Sequence, residues 1–287
     1  MLNLVSYCDS QQHTPMKKLL SIILLINCLS FQATAQKEIK YKKIFYKNQT
    51  IENADVKVTI EDAVATPVGL KFKITIQNKT NDYILFKPTE CEFKVKGNAM
   101  KPSEKPLLLK PNSKDDVVLD IKGGKNMVPE DFEFYMAGFY KISMNAQTVP
   151  VPDFKLPASS NDFKAGNFSV SMEKSKKETA LSWAKFKVTY NGDKIGIIEP
   201  PKVAMKMPDG KEYANYHSDD KPLIMEKGAV EDFTPGWKDI PIASGDMQLV
   251  ELTIMFRDTF KEVTPVKIPG LNLSILFDKE TSYAKGR

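Results

Sequence analysis

Apolar residues occupy every second position in several short stretches of the chain, and mostly polar residues lie between them. Three of these stretches cover residues 70–76, 184–190 and 250–256. Alternation with a period of two is typical of a β-strand that buries one face and leaves the other in water. No longer window shows the apolar stripe of an amphipathic helix. The pattern therefore predicts an all-β protein built from antiparallel strands.

Turn-forming residues separate these predicted strands. Four turn signals fall between apolar runs: Gly123-Gly124, Asn191-Gly192, Asp209-Gly210 and Pro269-Gly270. Asn-Gly and Asp-Gly pairs suit tight hairpins because both positions accept a positive φ. Gly138, which lies within an aromatic run, suggests a β-bulge. Many short strands divided by turns favour an antiparallel β-sandwich, and a β-barrel is the alternative.

The chain also repeats itself along its length. Three segments recur in the same order at offsets of 112 to 116 residues: 56–60 with 168–172, 71–75 with 185–189, and 105–107 with 221–223. Repetition at nearly one interval indicates two copies of one module, and about 110 residues is an ordinary domain size. The sequence thus predicts two tandem antiparallel β-sandwich domains.

The region between the two copies is rich in proline. Three prolines fall within residues 150–157 and precede a run of small polar residues. This composition is typical of a linker whose first half is semi-rigid. We therefore expect a first domain at residues 36–147, a linker at 148–166, and a second domain at 167–287 that includes a C-terminal tail.

With its two copies of alternating strands, the chain resembles tandem immunoglobulin-like β-sandwich domains of exported bacterial proteins. The resemblance covers residues 53–147 and 167–278. The Cys…Trp…Cys spacing of antibody domains is absent from the sequence. The resemblance implies a fold but no catalytic or binding residue, because one sandwich architecture serves many functions.

The N-terminal region has the three parts of an export signal. Residues 16–18 (MKK) are followed by the apolar run 19–26 and then by residues 33–35 (ATA). This arrangement predicts a signal peptide that is cleaved between Ala35 and Gln36. The apolar run is too short to span a membrane, and no later segment is apolar enough to do so.

Two details of the N-terminal region, residues 1–35, stay open at this stage. Residues 1–15 are polar and precede the better start at Met16, so the sequence does not decide which methionine begins the chain. Cys28 as a lipid-anchor site is a weaker alternative to cleavage, because Asn27 stands where such sites need a small residue.

Charge and cysteine content narrow the function classes. The formal net charge is +5, and almost all the positive residues are Lys, with Arg only at positions 257 and 287. Because Arg is the side chain best suited to phosphate and base recognition, its shortage argues against a nucleic-acid binder. Cys91 is the only cysteine left after the predicted cleavage, so the mature chain has no intramolecular disulfide. We interpret Cys91 as a small buried apolar residue, and a reactive thiol is the alternative.

The mature sequence offers little material for catalysis or metal binding. His217 is its only histidine, and no nucleophile motif lies near it. Asp219 and Asp220 are weak candidates for Ca²⁺ ligands, because they lack the alternation of an EF-hand loop. No phosphate-binding or dinucleotide motif occurs. We therefore expect a non-enzymatic protein without a cofactor.

Aromatic residues of the second copy are the best candidates for a binding surface. Exposed aromatic rings on a β-sandwich can stack on sugars or dock a protein. The candidate surface consists of Trp237, Tyr213, Tyr216 and His217. The sequence does not decide whether Trp237 is exposed, and Trp183 is expected to close the core beside the strand at 184–190.

These features together predict an exported cell-envelope protein, periplasmic or secreted, that binds a partner without catalysing a reaction. The expected partner is another envelope protein or a glycan. A structural spacer is the main alternative, and a carbohydrate-binding protein or hydrolase with a site on the second domain is less favoured. The sequence predicts neither the oligomeric state nor the relative orientation of the domains.

Overall fold

The computed structural model describes residues 41–95, 97–122, 131–241 and 246–286. The predicted export signal, with its cleavage site between Ala35 and Gln36, and the Gly123-Gly124 turn lie outside the described residues. Within those residues the chain is mostly β, which confirms the class predicted from the alternating pattern.

Within the described residues, eleven strands precede residue 143. They are β1 (Ile44–Phe45), β2 (Gln49–Glu52), β3 (Val56–Thr66), β4 (Gly69–Asn78), β5 (Tyr83–Phe86), β6 (Glu92–Val95), β7 (Asn98–Met100), β8 (Leu107–Leu109), β9 (Lys114–Lys122), β10 (Phe132–Met136) and β11 (Phe139–Ile142). A 3₁₀ helix, Pro88–Glu90, connects β5 to β6.

The remaining described residues form further strands and one α-helix. The strands are β12 (Gln147–Thr148), β13 (Phe154–Leu156), β14 (Asp162–Ala165), β15 (Phe168–Lys176), β16 (Leu181–Tyr190), β17 (Ile195–Ile198), β18 (Ala204–Lys206), β19 (Glu212–Ala214), β20 (Leu223–Met225), β21 (Val230–Phe233), β22 (Gly236–Lys238), β23 (Leu252–Met255), β24 (Phe260–Val263), β25 (Val266–Lys267) and β26 (Leu271–Ile275). Two more 3₁₀ helices lie at Pro200–Lys202 and Met247–Leu249, and the α-helix α1 spans Lys279–Lys285.

The strands form antiparallel sheets around two hydrophobic cores, and none of these sheets is closed. The sheets of the first core have the orders β1-β3-β4-β9, with β2 beside β3, then β26-β10-β6-β7 and β25-β11-β5-β8. Those of the second core have the orders β14-β15-β16-β21, with β22 beside β16, then β13-β23-β18-β19 and β12-β24-β17-β20. We call each core with its sheets the first unit and the second unit.

The alternating residues pack as their period predicts. In β4, the side chains of Phe72 and Ile74 are buried in the first core, while the intervening Lys73 reaches the surface and pairs with Asp116 at 2.8 Å. In β16, Phe186 is likewise buried in the second core. Burial of apolar area on one sheet face is the main stabilising term for such strands.

Each unit is completed by strands that come after the strands of the other unit in the chain. β12 and β13 come directly after β11 of the first unit, yet they pair with β24 and β23 of the second. β25 and β26 come after β24 of the second unit, yet they pair with β11 and β10 of the first. The two units thus exchange strands reciprocally. We call residues 266–286 the C-terminal clasp.

This exchange differs from the expected linker and tail. Residues 148–166, which the proline content assigned to a linker, hold β13 and β14 of the second unit. The clasp, expected as a tail of the second domain, packs on the first unit instead. Prolines do not prevent this pairing because Pro150 and Pro152 lie between β12 and β13, outside the paired residues of both strands.

The two units are packed against each other along a small apolar junction. Leu85 and Ile142 of the first unit are buried together with Ile195 and Ile197 of the second. Polar contacts cross the same junction: the Lys87 ammonium pairs with Glu226, and Lys261 donates to the Met144 carbonyl at 3.2 Å. The junction and the strand exchange together connect the units at several points.

Candidate functional site

Tyr216 presents an exposed aromatic ring on the second unit. The residue is 38% exposed, and its ring centroid lies 3.8 Å from that of His217. The Lys238 ammonium nitrogen lies 4.1 Å from the centroid of the Tyr216 ring. A cation at this distance is attracted by the negative face of the ring. We call Tyr216, His217 and Lys238 the Tyr216 platform.

The amide of Asn215 fixes the loop that carries this platform. Asn215 is only 4% exposed, and its Nδ2 donates to the Pro200 carbonyl at 3.0 Å. Its Oδ1 accepts from the backbone N–H groups of His217 at 3.2 Å and Gly236 at 3.0 Å. The Tyr216 N–H donates in turn to the Gly236 carbonyl at 3.0 Å. A loop bonded this way is ordered before a partner arrives, which lowers the entropy cost of binding.

Strand β22 explains why Lys238 belongs to the platform and Trp237 does not. Successive side chains of a strand point to opposite faces. A Cβ atom on Gly236 would lie 2.6 Å from Tyr216 Cε1, so glycine makes room for the ring. Trp237 points the other way and is 1% exposed in the second core. Sequence reasoning missed Lys238, because its place beside Tyr216 depends on the pairing of β22 with β16.

The structure therefore corrects the predicted aromatic surface. Trp237 belongs to the core, because β22 pairs with β16 and turns the indole inward. Trp183, expected in the core, is only half-buried because the neighbouring Ser182 occupies the inward position. Tyr213 is partly buried against the second core. Of the four residues of the predicted surface, the structure brings Tyr216 and His217 together, with their rings in contact.

Asp219 and Asp220 follow the platform loop and are both exposed. Asp220 N–H makes a 3.5 Å turn contact with the His217 carbonyl. In the part of the chain that the structure describes, no three His, Cys, Asp or Glu side chains are grouped so as to hold a metal ion.

Cys91 lies in the first core, which agrees with its interpretation as a small buried apolar residue. Its thiol is fully buried, and Sγ donates to the Ala137 carbonyl at 3.5 Å. Burial raises the pKa of the Cys91 thiol to about 12. Because only the thiolate is a strong nucleophile, this residue is not suited to chemistry at neutral pH.

We expect Cys91 to react with a thiol reagent only when the first unit opens. A chain that begins at Gln36 lacks Cys8 and Cys28, so labelling reports Cys91 alone. At pH 8 the native chain should react roughly a hundredfold more slowly than the urea-unfolded chain. Cys91→Val should change the free energy of unfolding by less than about 1.5 kcal/mol, as near-isosteric core exchanges do. Fast labelling in native buffer would contradict the buried placement.

A polar cluster at the edge of the junction was missed by sequence reasoning. The Tyr140 hydroxyl donates to the Glu90 carboxylate, with O–O distances of 2.8 and 2.9 Å. The Lys267 ammonium lies 3.5 Å from Glu90 Oε2, and Lys87 lies 4.9 Å from the centroid of the Tyr140 ring. Burial and the hydrogen bond to Glu90 raise the pKa of Tyr140, so the phenol stays a donor. Since Lys267 belongs to the clasp, this cluster helps to hold the clasp in place.

The described residues contain no helix that is both long enough and apolar enough to cross a membrane. No protein-family model matches the chain, and no curated protein matches it.

Two solved structures show weak similarity to the chain. One is pT26-6p, at 8% identity and a TM-score of 0.19, over 93% of this chain and 69% of that chain. The other is the conserved domain protein from Bacillus anthracis, at 10% identity and a TM-score of 0.20, over 81% of this chain and 90% of that chain. Scores this low carry no argument about fold or function.

Proposed function

We propose that this chain is an exported cell-envelope protein, periplasmic or secreted, that binds a partner through the Tyr216 platform without catalysing a reaction. In this proposal its two units are immunoglobulin-like β-sandwich domains of the kind found in exported bacterial proteins. The observation that carries the proposal is an exposed Tyr216 ring beside His217 and Lys238, on a loop fixed by a buried amide.

The chemistry of the platform indicates what kind of partner it suits. It offers an aromatic face next to a positive charge, which fits a sugar ring bearing a carboxylate or an acidic loop of a protein. The partner is accordingly an envelope glycan or another envelope protein. Tyrosine loses little side-chain entropy on binding and is enriched among residues that dominate interface energies.

A structural spacer remains the second candidate function, since the strand exchange and the junction tie the two units together at several points. A spacer would use this connection without using the platform. The two functions therefore differ in what they predict for variants of Tyr216 and Lys238.

We expect the double change Tyr216→Ser and Lys238→Ser to weaken partner binding by about thirtyfold, the effect of losing an aromatic interface residue worth about 2 kcal/mol. A glycan array and cross-linking in the envelope fraction would identify the partner, and biolayer interferometry would give its Kd. Tyr283→Ser is the matched control, because Tyr283 is 52% exposed but lies on α1.

Two results would count against this function. A flat glycan array together with no cross-linked envelope protein would favour the spacer. An identified partner whose Kd is the same for the double variant and the Tyr283→Ser control would show that binding does not use the platform.

A further inference from the structure

The C-terminal clasp fills a groove in the first unit that would otherwise be an open sheet edge. β26 pairs with β10 over five residues, and Phe134 is the register partner of Leu273. Ile268, Leu273 and Ile275 are buried in the first core. Without these strands, the edges of β10 and β11 would be unpaired and apolar area of the core would face water.

The clasp is also attached beyond its strands. The Gly286 carbonyl accepts from the backbone N–H groups of Lys42 at 2.7 Å and Lys43 at 3.0 Å. The Ser282 hydroxyl accepts from the Phe45 N–H at 2.8 Å. The clasp thus contacts β10 and β11 through its strands and β1 through α1 and Gly286.

The second unit has a corresponding groove, which is filled by residues 147–156. The Val149 N–H donates to the Phe260 carbonyl at 2.8 Å, and the Ile268 N–H donates to the Phe139 carbonyl at 2.9 Å. Val149-Pro150 is therefore the counterpart of Ile268-Pro269. In each case a unit is closed by a segment whose covalent attachment lies on the other unit.

One position distinguishes the two closing segments. Leu271 pairs with Met136 in the ladder between β26 and β10. Counting from the shared Val149-Pro150 and Ile268-Pro269 pairs, Pro152 is the residue that corresponds to Leu271. Proline has no N–H to donate to a ladder, so the groove of the first unit favours the clasp over residues 147–156.

We propose that the groove of the first unit accepts the clasp of a second copy of this chain, so that two copies exchange clasps and form a closed dimer. Only Thr264 and Pro265 separate β24 from β25. An exchange keeps the contacts between the clasp and its groove, as swapping of identical elements does. Because the hinge is short, the exchange must also open the junction within each chain, where Val263 packs beside Ile195 and Ile197. The clasp of the same chain acts at an effective concentration in the millimolar range, so the monomer prevails in dilute solution.

The first test cuts the hinge of the full chain. A protease site is inserted between Thr264 and Pro265, and the folded protein is cleaved and then incubated with a fluorescent peptide covering residues 265–287. The clasp should stay bound during gel filtration, and the peptide should replace it. A Leu273→Asp peptide should bind about a hundredfold more weakly, and a peptide of residues 146–157 at least about tenfold more weakly. Two results would overturn the proposal. Either the clasp dissociates while Cys91 stays protected, or the peptide does not enter the groove.

The second test uses two complete chains with different tags. Leu273→Asp disables the clasp of one chain, and Phe134→Asp disables the groove of the other. When the two are refolded together at high concentration, one tag should capture both chains in a one-to-one complex, and Cys91 of the Leu273→Asp chain should regain protection. Two Leu273→Asp chains should give no complex. Absence of the mixed complex, or equal capture in this control, would overturn the proposal.

Discussion

Leu273→Asp is expected to unfold the first unit while the second unit stays folded. Leu273 is 6% exposed and lies opposite Phe134 in the first core. Truncating a buried leucine costs about 2–5 kcal/mol, and an unpaired buried carboxylate costs several more. The sum is comparable with the whole stability of an ordinary domain, about 5–15 kcal/mol. The second unit keeps its own closing segment, residues 147–156, and is not touched by the change.

Two probes separate the units in this experiment. Cys91 belongs to the first core, while Trp237 is buried in the second and Trp183 lies on β16 of the second unit. In the Leu273→Asp chain, Cys91 should be labelled at nearly the rate of the unfolded chain. The urea transition followed by tryptophan fluorescence should persist, with a midpoint lowered only by the lost contacts at the junction.

Asn272→Asp is the matched control, since Asn272 is the preceding residue of β26, faces solvent and lies opposite Tyr135. An exposed change of this kind should alter stability by no more than about 0.5 kcal/mol. Continued protection of Cys91 in the Leu273→Asp chain would show that the first unit does not depend on its clasp. Loss of the fluorescence transition as well would show that the two units unfold as one body.

The strands were predictable because their signal is local. The alternation in β4 and β16 depends only on which residues face the core, and Phe72 and Phe186 are buried as expected. The Asp209-Gly210 turn was found for the same reason: Gly210 has φ +87, and its N–H donates to the Met207 carbonyl between β18 and β19. Period and turn chemistry therefore gave the all-β class.

The strand exchange was not predictable from the same patterns. Alternation shows that a segment is a strand but not which strand it pairs with, and pairing across more than a hundred residues leaves no period to detect. The recurrence of Val149-Pro150 as Ile268-Pro269 was the available signal. It was obscured because three prolines near residue 150 are also typical of a linker.

The candidate site was predicted in part, and the error at Trp237 has a physical cause. Gly236–Lys238 is a strand of three residues, too short for its alternation to stand out. Its inward residue is therefore indistinguishable from a loop residue until its pairing with β16 is known. Tyr216 was identified as an aromatic loop residue, but its contact with Lys238 depends on that same pairing.

Gly138→Ala is expected to destabilise the first unit much more than Gly97→Ala does. Both glycines have a positive φ, +84 and +80, so alanine at either position lowers the free energy of unfolding by about 1–2 kcal/mol because of the left-handed conformation. They differ in space: a Cβ on Gly138 would lie 2.3 Å from the Lys87 carbonyl oxygen, whereas nothing lies within 4 Å of one on Gly97. We expect Gly138→Ala to cost about 2–5 kcal/mol in total, because overpacking against backbone adds about 1–3 kcal/mol.

The Lys87 carbonyl cannot easily move away from this methyl group. It accepts the Glu90 N–H at 3.1 Å, and the Lys87 N–H donates to the Gly138 carbonyl at 2.9 Å. Gly138 also stands where the chain leaves β10 and enters β11, the two strands that receive the clasp. Urea unfolding followed by Cys91 labelling measures both variants in the same unit. Equal losses of stability would mean that the positive φ alone determines the cost. A larger loss for Gly138→Ala, with Cys91 exposed at a lower urea concentration, would show that the close approach of the Lys87 carbonyl adds to it.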